Sequence, residues 1–154
     1  MKITDISSDK MTIDYESNLW CISNDQINRK TESGWKTYDL ITNELDPQSN
    51  YCISGVLNTI YIGGKNRIAQ FDGFNWYKFS GVQEVTLVAI SDDGIVMALI
   101  NGKIYVRSET ISWQYVTHDD LPDMYYDFHR IYVDLNNEFW IGTNTGLFHF
   151  QNNE

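Results

Sequence analysis

The chain has 154 residues, of which 42% are hydrophobic, 21% charged and 14% aromatic, with a formal net charge of −10. That length suits one domain burying about two-thirds of the surface its unfolded form exposes. The acidic balance excludes a nucleic-acid or anionic-membrane surface, since both need clustered lysine and arginine to neutralise phosphate. Met1–Asp5 has no apolar leader core, and no window approaches the roughly 18 apolar residues of a membrane helix. The expectation is a soluble, non-exported, cytoplasmic protein. Cys21 and Cys52 are too few for a disulfide framework, and are expected as reduced strand residues, with a disulfide as the alternative.

In chain order the sequence repeats itself. The run Leu19-Trp20-Cys21-Ile22 is echoed by Ile60-Tyr61-Ile62-Gly63, Val96-Met97-Ala98-Leu99 and Phe139-Trp140-Ile141-Gly142, with spacings of 41, 36 and 43 residues. A second marker, Trp35, Trp76 and Trp113, follows the first by 15, 15 and 16 residues. Two markers at a nearly fixed offset define four repeats of about 40 residues. They are placed at approximately 9–45, 50–81, 84–117 and 128–150 within one domain, 1–154.

Each repeat has the same grammar. An apolar strand opens it (Met11–Ile13, Tyr51–Ile53, Thr86–Ile90), followed by a polar turn such as Glu16–Asn18 or Asp92–Gly94. The marker strand comes next, then a hairpin turn at Asn24-Asp25, Gly64–Asn66 or Asn101-Gly102. A third strand follows (Gln26–Arg29, Arg67–Phe71, Lys103–Arg107), and an outer strand opens at the tryptophan. Short β-branched and aromatic runs divided by Asn, Asp and Gly read as antiparallel strands, and no convincing helix is present. Four strands per repeat predict an all-β fold, a small β-propeller of four four-stranded blades. The last repeat stops after its third strand, so Lys2–Ile6 is expected to close the ring; the alternatives are an open arc that pairs with a second copy into a larger ring, or a fragment of a longer protein.

The stretch Ile131–Phe150 carries a family likeness in Asp134, Trp140, Ile141, Gly142, Thr143, Gly146, Leu147 and Phe148, with Leu121-Pro122 ahead of it. It resembles the repeat of two-component-regulator β-propellers, with Asn137 where the family has a turn glycine. Asn also tolerates positive φ. The resemblance implies a propeller. The family's sensing role does not follow, because this sequence shows neither membrane span nor kinase.

Nothing gathers catalytic groups. His118, His129 and His149 occupy unrelated repeat positions without metal-ligand spacing, and no nucleophile elbow, P-loop or dinucleotide fingerprint occurs. The Asp92–Gly94 and Asp134–Asn137 turns lack the ligand alternation of a calcium loop. No enzyme, cofactor or metal is therefore expected. Trp20, Trp35, Trp76, Trp113 and Trp140 are expected to pack between blades rather than to form a sugar platform.

The charge is uneven: residues 1–108 hold ten basic and thirteen acidic groups, net −3, and residues 109–154 one basic and eight acidic, net −7. The segment Thr117–Arg130 concentrates it, so Asp119, Asp120, Asp123, Met124, Tyr125 and Asp127 are the candidate partner-binding residues. Aromatics and Met supply area while the acids steer a basic partner; the alternative is a solvated inter-blade loop. The functional expectation is a non-catalytic protein-binding module, an acidic inhibitor or immunity-type protein masking a basic protein such as a toxin. A small-molecule or glycan binder using the channel or an exposed aromatic is the alternative, and a homodimer the alternative assembly.

Overall fold

The alternating aromatic and aliphatic runs form antiparallel strands throughout the described part of the chain. In this computed structural model the described residues are 10–14, 16–23, 26–39, 50–56, 59–65, 67–79, 81–108, 112–116 and 127–151. The first blade comprises β1 (Lys10–Ile13), β2 (Leu19–Ser23), β3 (Gln26–Thr31) and β4 (Gly34–Asp39). The second comprises β5 (Asn50–Val56), β6 (Thr59–Gly64), β7 (Ile68–Phe71) and β8 (Trp76–Phe79). The third holds β9 (Val85–Ile90), β10 (Val96–Ile100), β11 (Lys103–Arg107) and β12 (Gln114–Tyr115), and the fourth β13 (Phe128–Val133), β14 (Phe139–Thr143) and β15 (Leu147–Phe150). Each sheet is a meander in which neighbours follow one another in the chain. Blades of this kind, stacked face to face, make a β-propeller.

The first strands β1, β5, β9 and β13 pack side by side, so they are innermost and the tryptophan-opened strands lie outside. The fourth sheet has three strands among the described residues. Lys2–Ile6, the expected closing strand, lies outside the described residues.

What stacks the blades is the alternation of the second strand, whose successive side chains point to opposite faces. Ile60 and Ile62 of β6 face back and pack with Trp20, Ile22 and Ile27 of the first blade. Tyr61, between them, faces forward into a second core with Val88, Val96 and Ala98 of the third blade. Met97 and Leu99 of β10 then face forward to meet Ile131, Phe139 and Ile141 of the fourth. Three inter-blade cores result, and among the described residues no core cluster joins the fourth blade to the first. Trp20 is 1% exposed, and Trp76 and Trp113 border the first two cores. Trp35 and Trp140 belong to none of the three clusters, which departs from the expectation for all five tryptophans. Cys21 is buried and free, which leaves the reduced reading; burial pushes its thiol pKa up.

The turn between first and second strands has one geometry in three blades. Asp14, Ser91 and Asp134 each donate N–H to the residue four positions on and accept from the residue three positions on. That residue has positive φ: 61° at Ser17, 84° at Gly94, 63° at Asn137. Asn137 thus does the glycine's work, as its residue type suggested. Its Oδ1 also accepts from the Asp92 N–H at 2.9 Å, joining the third-blade turn to the fourth.

Two outcomes test this account by chemical denaturation. Asn137→Gly should keep stability within about 0.5 kcal/mol, whereas Asn137→Val should cost about 1–2 kcal/mol, because a β-branched residue is strained at positive φ. Phe139→Ala, emptying the third inter-blade core, should cost about 3–5 kcal/mol.

Candidate functional site

Strand direction decides which side chains share an end of the arc. With first strands parallel from blade to blade, the turns after the first and third strands all emerge at one rim. At that rim lie Asp14 and Glu16 (β1–β2), Glu32 (β3–β4), Asp72 (β7–β8), Asp92 and Asp93 (β9–β10), and Asp134 and Glu138 (β13–β14). The described residues of these turns include no lysine, arginine or histidine. Two large apolar side chains stand among the carboxylates: Phe74, 89% exposed, and Leu135, 101% exposed. An open cleft of about 460 Å³ marks the first-blade part of the rim, lined by Glu16, Asn18, Arg29, Thr31, Glu32 and Ser33.

Several of these carboxylates are structural. Asp14 Oδ2 accepts from the Trp20 indole at 2.8 Å and from Arg29 at 2.9 Å, while Oδ1 accepts from the Asn18 backbone at 2.8 Å. Asp134 repeats the arrangement: Oδ2 accepts from the Trp140 indole at 2.9 Å, and Oδ1 from the Asn136 and Glu138 amides. Asp72 caps its own turn by accepting from the Phe74 and Asn75 amides. Burial alone would raise the Asp14 carboxyl, but the Trp20 and Asn18 donors and the Arg29 charge outweigh it and hold it below the ordinary aspartate value. The Trp140 indole, followed by the Glu138 and Asn136 amides, does the same for Asp134. The Asn75 and Phe74 amides lower Asp72.

The tryptophans of the two latches differ in their cover. Trp20 is sealed by the second blade and has the Arg29 guanidinium 5.1 Å from its ring centroid. Trp140 is half-buried, and His149, on the neighbouring strand, stacks on it at 4.1 Å between centroids and 17° between planes. His149 Nε2 lies 2.8 Å from Glu138 Oε2. The alternation of β15 sends Phe148 and Phe150 into the core and His149 to the opposite face.

Of the candidate partner-binding residues, Asp119, Asp120, Asp123, Met124 and Tyr125 lie outside the described residues. Asp127 is described and exposed. Its N–H donates to Asn144 Oδ1 at 3.4 Å, and its carbonyl accepts from Asn144 N–H at 3.1 Å. That contact sits beside the β14–β15 turn, at the end of the arc opposite the acidic rim. The rim was missed by sequence reasoning because its members are scattered from Asp14 to Glu138. The available signal was that acids fall repeatedly in the turns after first and third strands.

No known protein-family model matches the sequence, and no curated protein matches it. Solved structures do. A catalytically inactive virginiamycin B lyase from Staphylococcus aureus, crystallised with quinupristin, is 14% identical with a TM-score of 0.67, over 97% of this chain and 57% of the lyase. The extracellular domain of a hybrid two-component system from B. thetaiotaomicron gives 12% and 0.67, over 94% of this chain and 21% of that one. YCF48 bound to D1 peptide gives 12% and 0.66, over 99% and 52%. These are β-propellers, and at such identities the likeness is one of fold. The chain spans little more than half of the lyase and of YCF48.

The latches also give stability a defined dependence on pH. A carboxyl held below its ordinary value stabilises the fold fully above that value, and the contribution is lost as pH falls through the folded-state value. Stability should therefore fall from about pH 5 toward pH 2, and Asp14→Asn should flatten that fall in denaturation series across the range. At neutral pH Asp14→Asn should cost about 2–3 kcal/mol, since Arg29 loses its buried partner. Asp134→Asn, on the more exposed latch, should cost less.

Proposed function

We propose that the chain is a non-catalytic protein-binding propeller that takes a basic protein on its acidic rim. The observation that carries this reading is the rim itself: carboxylates from all four blades, no cation in the described turns, and Phe74 and Leu135 projecting among them. Exposed apolar side chains supply area that desolvates on contact, and the surrounding charge steers a cationic partner and rejects acidic ones. In the first-blade cleft Arg29 already pairs with Glu16 at 3.0 Å, which leaves the exposed Glu32 as the carboxylate there for a partner cation.

A non-catalytic role is supported by the carboxyl chemistry. The perturbed aspartates at the rim are all shifted downward, Asp14 and Asp134 chiefly by the indole of the following strand and Asp72 by amides of its own turn. An acid catalyst at neutral pH needs the opposite shift. Among the described residues no cluster of three metal-ligating side chains occurs. One of the similar structures, YCF48, was solved bound to D1 peptide, which supports a protein-binding role for this fold. The finer reading is that of a cytoplasmic inhibitor or immunity-type protein masking a basic partner such as a toxin. Asp119, Asp120, Asp123, Met124, Tyr125 and Asp127, the acidic segment picked out by the sequence, are the competing contact residues.

The test is capture from the native lysate at low and high salt, followed by titration of the purified retained protein against two variants. The rim variant carries Glu32→Gln, Asp92→Asn, Phe74→Ser and Leu135→Ser; the other carries Asn at 119, 120, 123 and 127. A basic protein bound at low salt, and weakened at least tenfold by the rim variant alone, is the expected outcome. Loss with only the second variant would move the site to the 119–127 segment, and retention of no basic protein would overturn the reading.

A further inference from the structure

Two turns of the rim are built alike and filled differently. The β1–β2 turn begins at Asp14 and carries Glu16 and Asn18 at its third and fifth positions; the β13–β14 turn begins at Asp134 and carries Asn136 and Glu138 there. Each therefore has two carboxylates and an asparagine, with the last two exchanged. Each is also latched by the following strand, since the Trp20 indole donates to Asp14 Oδ2 at 2.8 Å and the Trp140 indole to Asp134 Oδ2 at 2.9 Å. Strand register then sets Arg29 directly across from Trp20, and His149 directly across from Trp140.

The first latch holds a guanidinium. Arg29 Nη2 donates to Asp14 Oδ2 at 2.9 Å and to Glu16 Oε2 at 3.0 Å, and the group lies 5.1 Å from the Trp20 ring centroid. Two carboxylates and an aromatic ring around one planar cation combine charge-assisted hydrogen bonds with a cation–π contact. The fourth latch has the same parts, but among the described residues no lysine or arginine bonds either of its carboxylates. His149 stacks on Trp140 and bonds Glu138 Oε2 at 2.8 Å, and Gln151 donates to Glu138 Oε1 at 3.2 Å. Among the described residues Asp134 Oδ2 accepts from the Trp140 indole alone. The atom that takes Arg29 in the first blade thus keeps an acceptor position in the fourth, because a carboxylate oxygen has two lone pairs.

We propose that the fourth-blade latch is an arginine-recognition site, where a guanidinium of the basic partner pairs with Asp134 and Glu138 beside the Trp140–His149 stack, in the role Arg29 has on the first blade. This rests on the acidic rim as the binding surface, and names the side chain that one of its turns reads.

The two latches differ in access. The first is filled by Arg29, and the Asp14 side chain is 1% exposed. On the fourth, the Glu138 and His149 side chains are 27% and 31% exposed, and Leu135 of the same turn projects into solvent. The second and third blades cannot form the site, since Tyr61 and Met97 stand at the tryptophan position and Gln70 and Val106 at the cation position. Arginine fits better than lysine. Its planar fork can address two carboxylates from one edge while its face lies on an imidazole that is itself within 17° of the indole plane. An ammonium is a compact point charge and gains the attraction without the stacking.

The test titrates the full chain at low salt with an oligo-arginine and an oligo-lysine peptide of equal length, by calorimetry and by the indole N–H resonances of the tryptophans. The arginine peptide should bind about fivefold tighter and shift the Trp140 indole resonance while leaving that of Trp20 in place. Glu138→Gln should bring the two affinities together. His149→Arg should do the same by a different route, because the chain's own guanidinium then fills the latch as Arg29 does on the first blade. Equal affinities in the wild-type chain, or an arginine preference that survives both substitutions, overturns the proposal and leaves the rim as a general cationic surface. Failure of both peptides to bind overturns the rim reading and the proposal with it.

Discussion

The structure depends on second strands that are apolar on both sides. A sheet with one buried face can rest on a single partner, but β6 and β10 have Ile60/Ile62 against Tyr61 and Val96/Ala98 against Met97/Leu99. Each blade must therefore be sandwiched, and its stability resides in contacts with its neighbours more than in its own hydrogen bonds. The fourth blade keeps the same pattern, with Trp140 in the role of Trp20 and Asp134 in that of Asp14, while Tyr132 and Leu147 on the face of Trp140 are exposed.

Aspartate at the start of the first turn does two jobs at once. It shapes a five-residue turn with positive φ at its fourth position, and it anchors the indole of the following strand. In the third blade Ser91 takes over the turn and Met97 the strand position, so the turn survives without the latch. Asp14 and Asp134 are thus occupied by amides of their own turns and by the indole of the following strand. Their neighbours Glu32, Asp92, Phe74 and Leu135 are exposed, and it is these that the proposed binding surface uses.

Much of the fold was legible because a blade is written locally. Marker strands, hairpin turns such as Asn101-Gly102 and the positive φ of Asn137 follow from residue type and spacing within about 40 residues. The rim was not legible in the same way, since Glu32, Asp92 and Leu135 come together only once strand direction is fixed in every blade. Counting charge along the chain pointed to residues 109–154, most of whose acids lie outside the described residues, whereas the described acids gather by turn position. The tryptophans show the same limit: Trp20 and Trp140 share a repeat position and a hydrogen-bond partner, yet one is sealed and the other open. Their difference lies in what stands beside the blade.

The most direct measurement is hydrogen exchange of the chain with and without the basic protein it retains. The account predicts new protection confined to the turns at 14–18, 31–34, 72–75, 91–95 and 134–138, with the opposite end unchanged. Protection centred instead on residues 117–127, or spread through the strand faces with the turns untouched, would contradict the acidic rim as the binding surface.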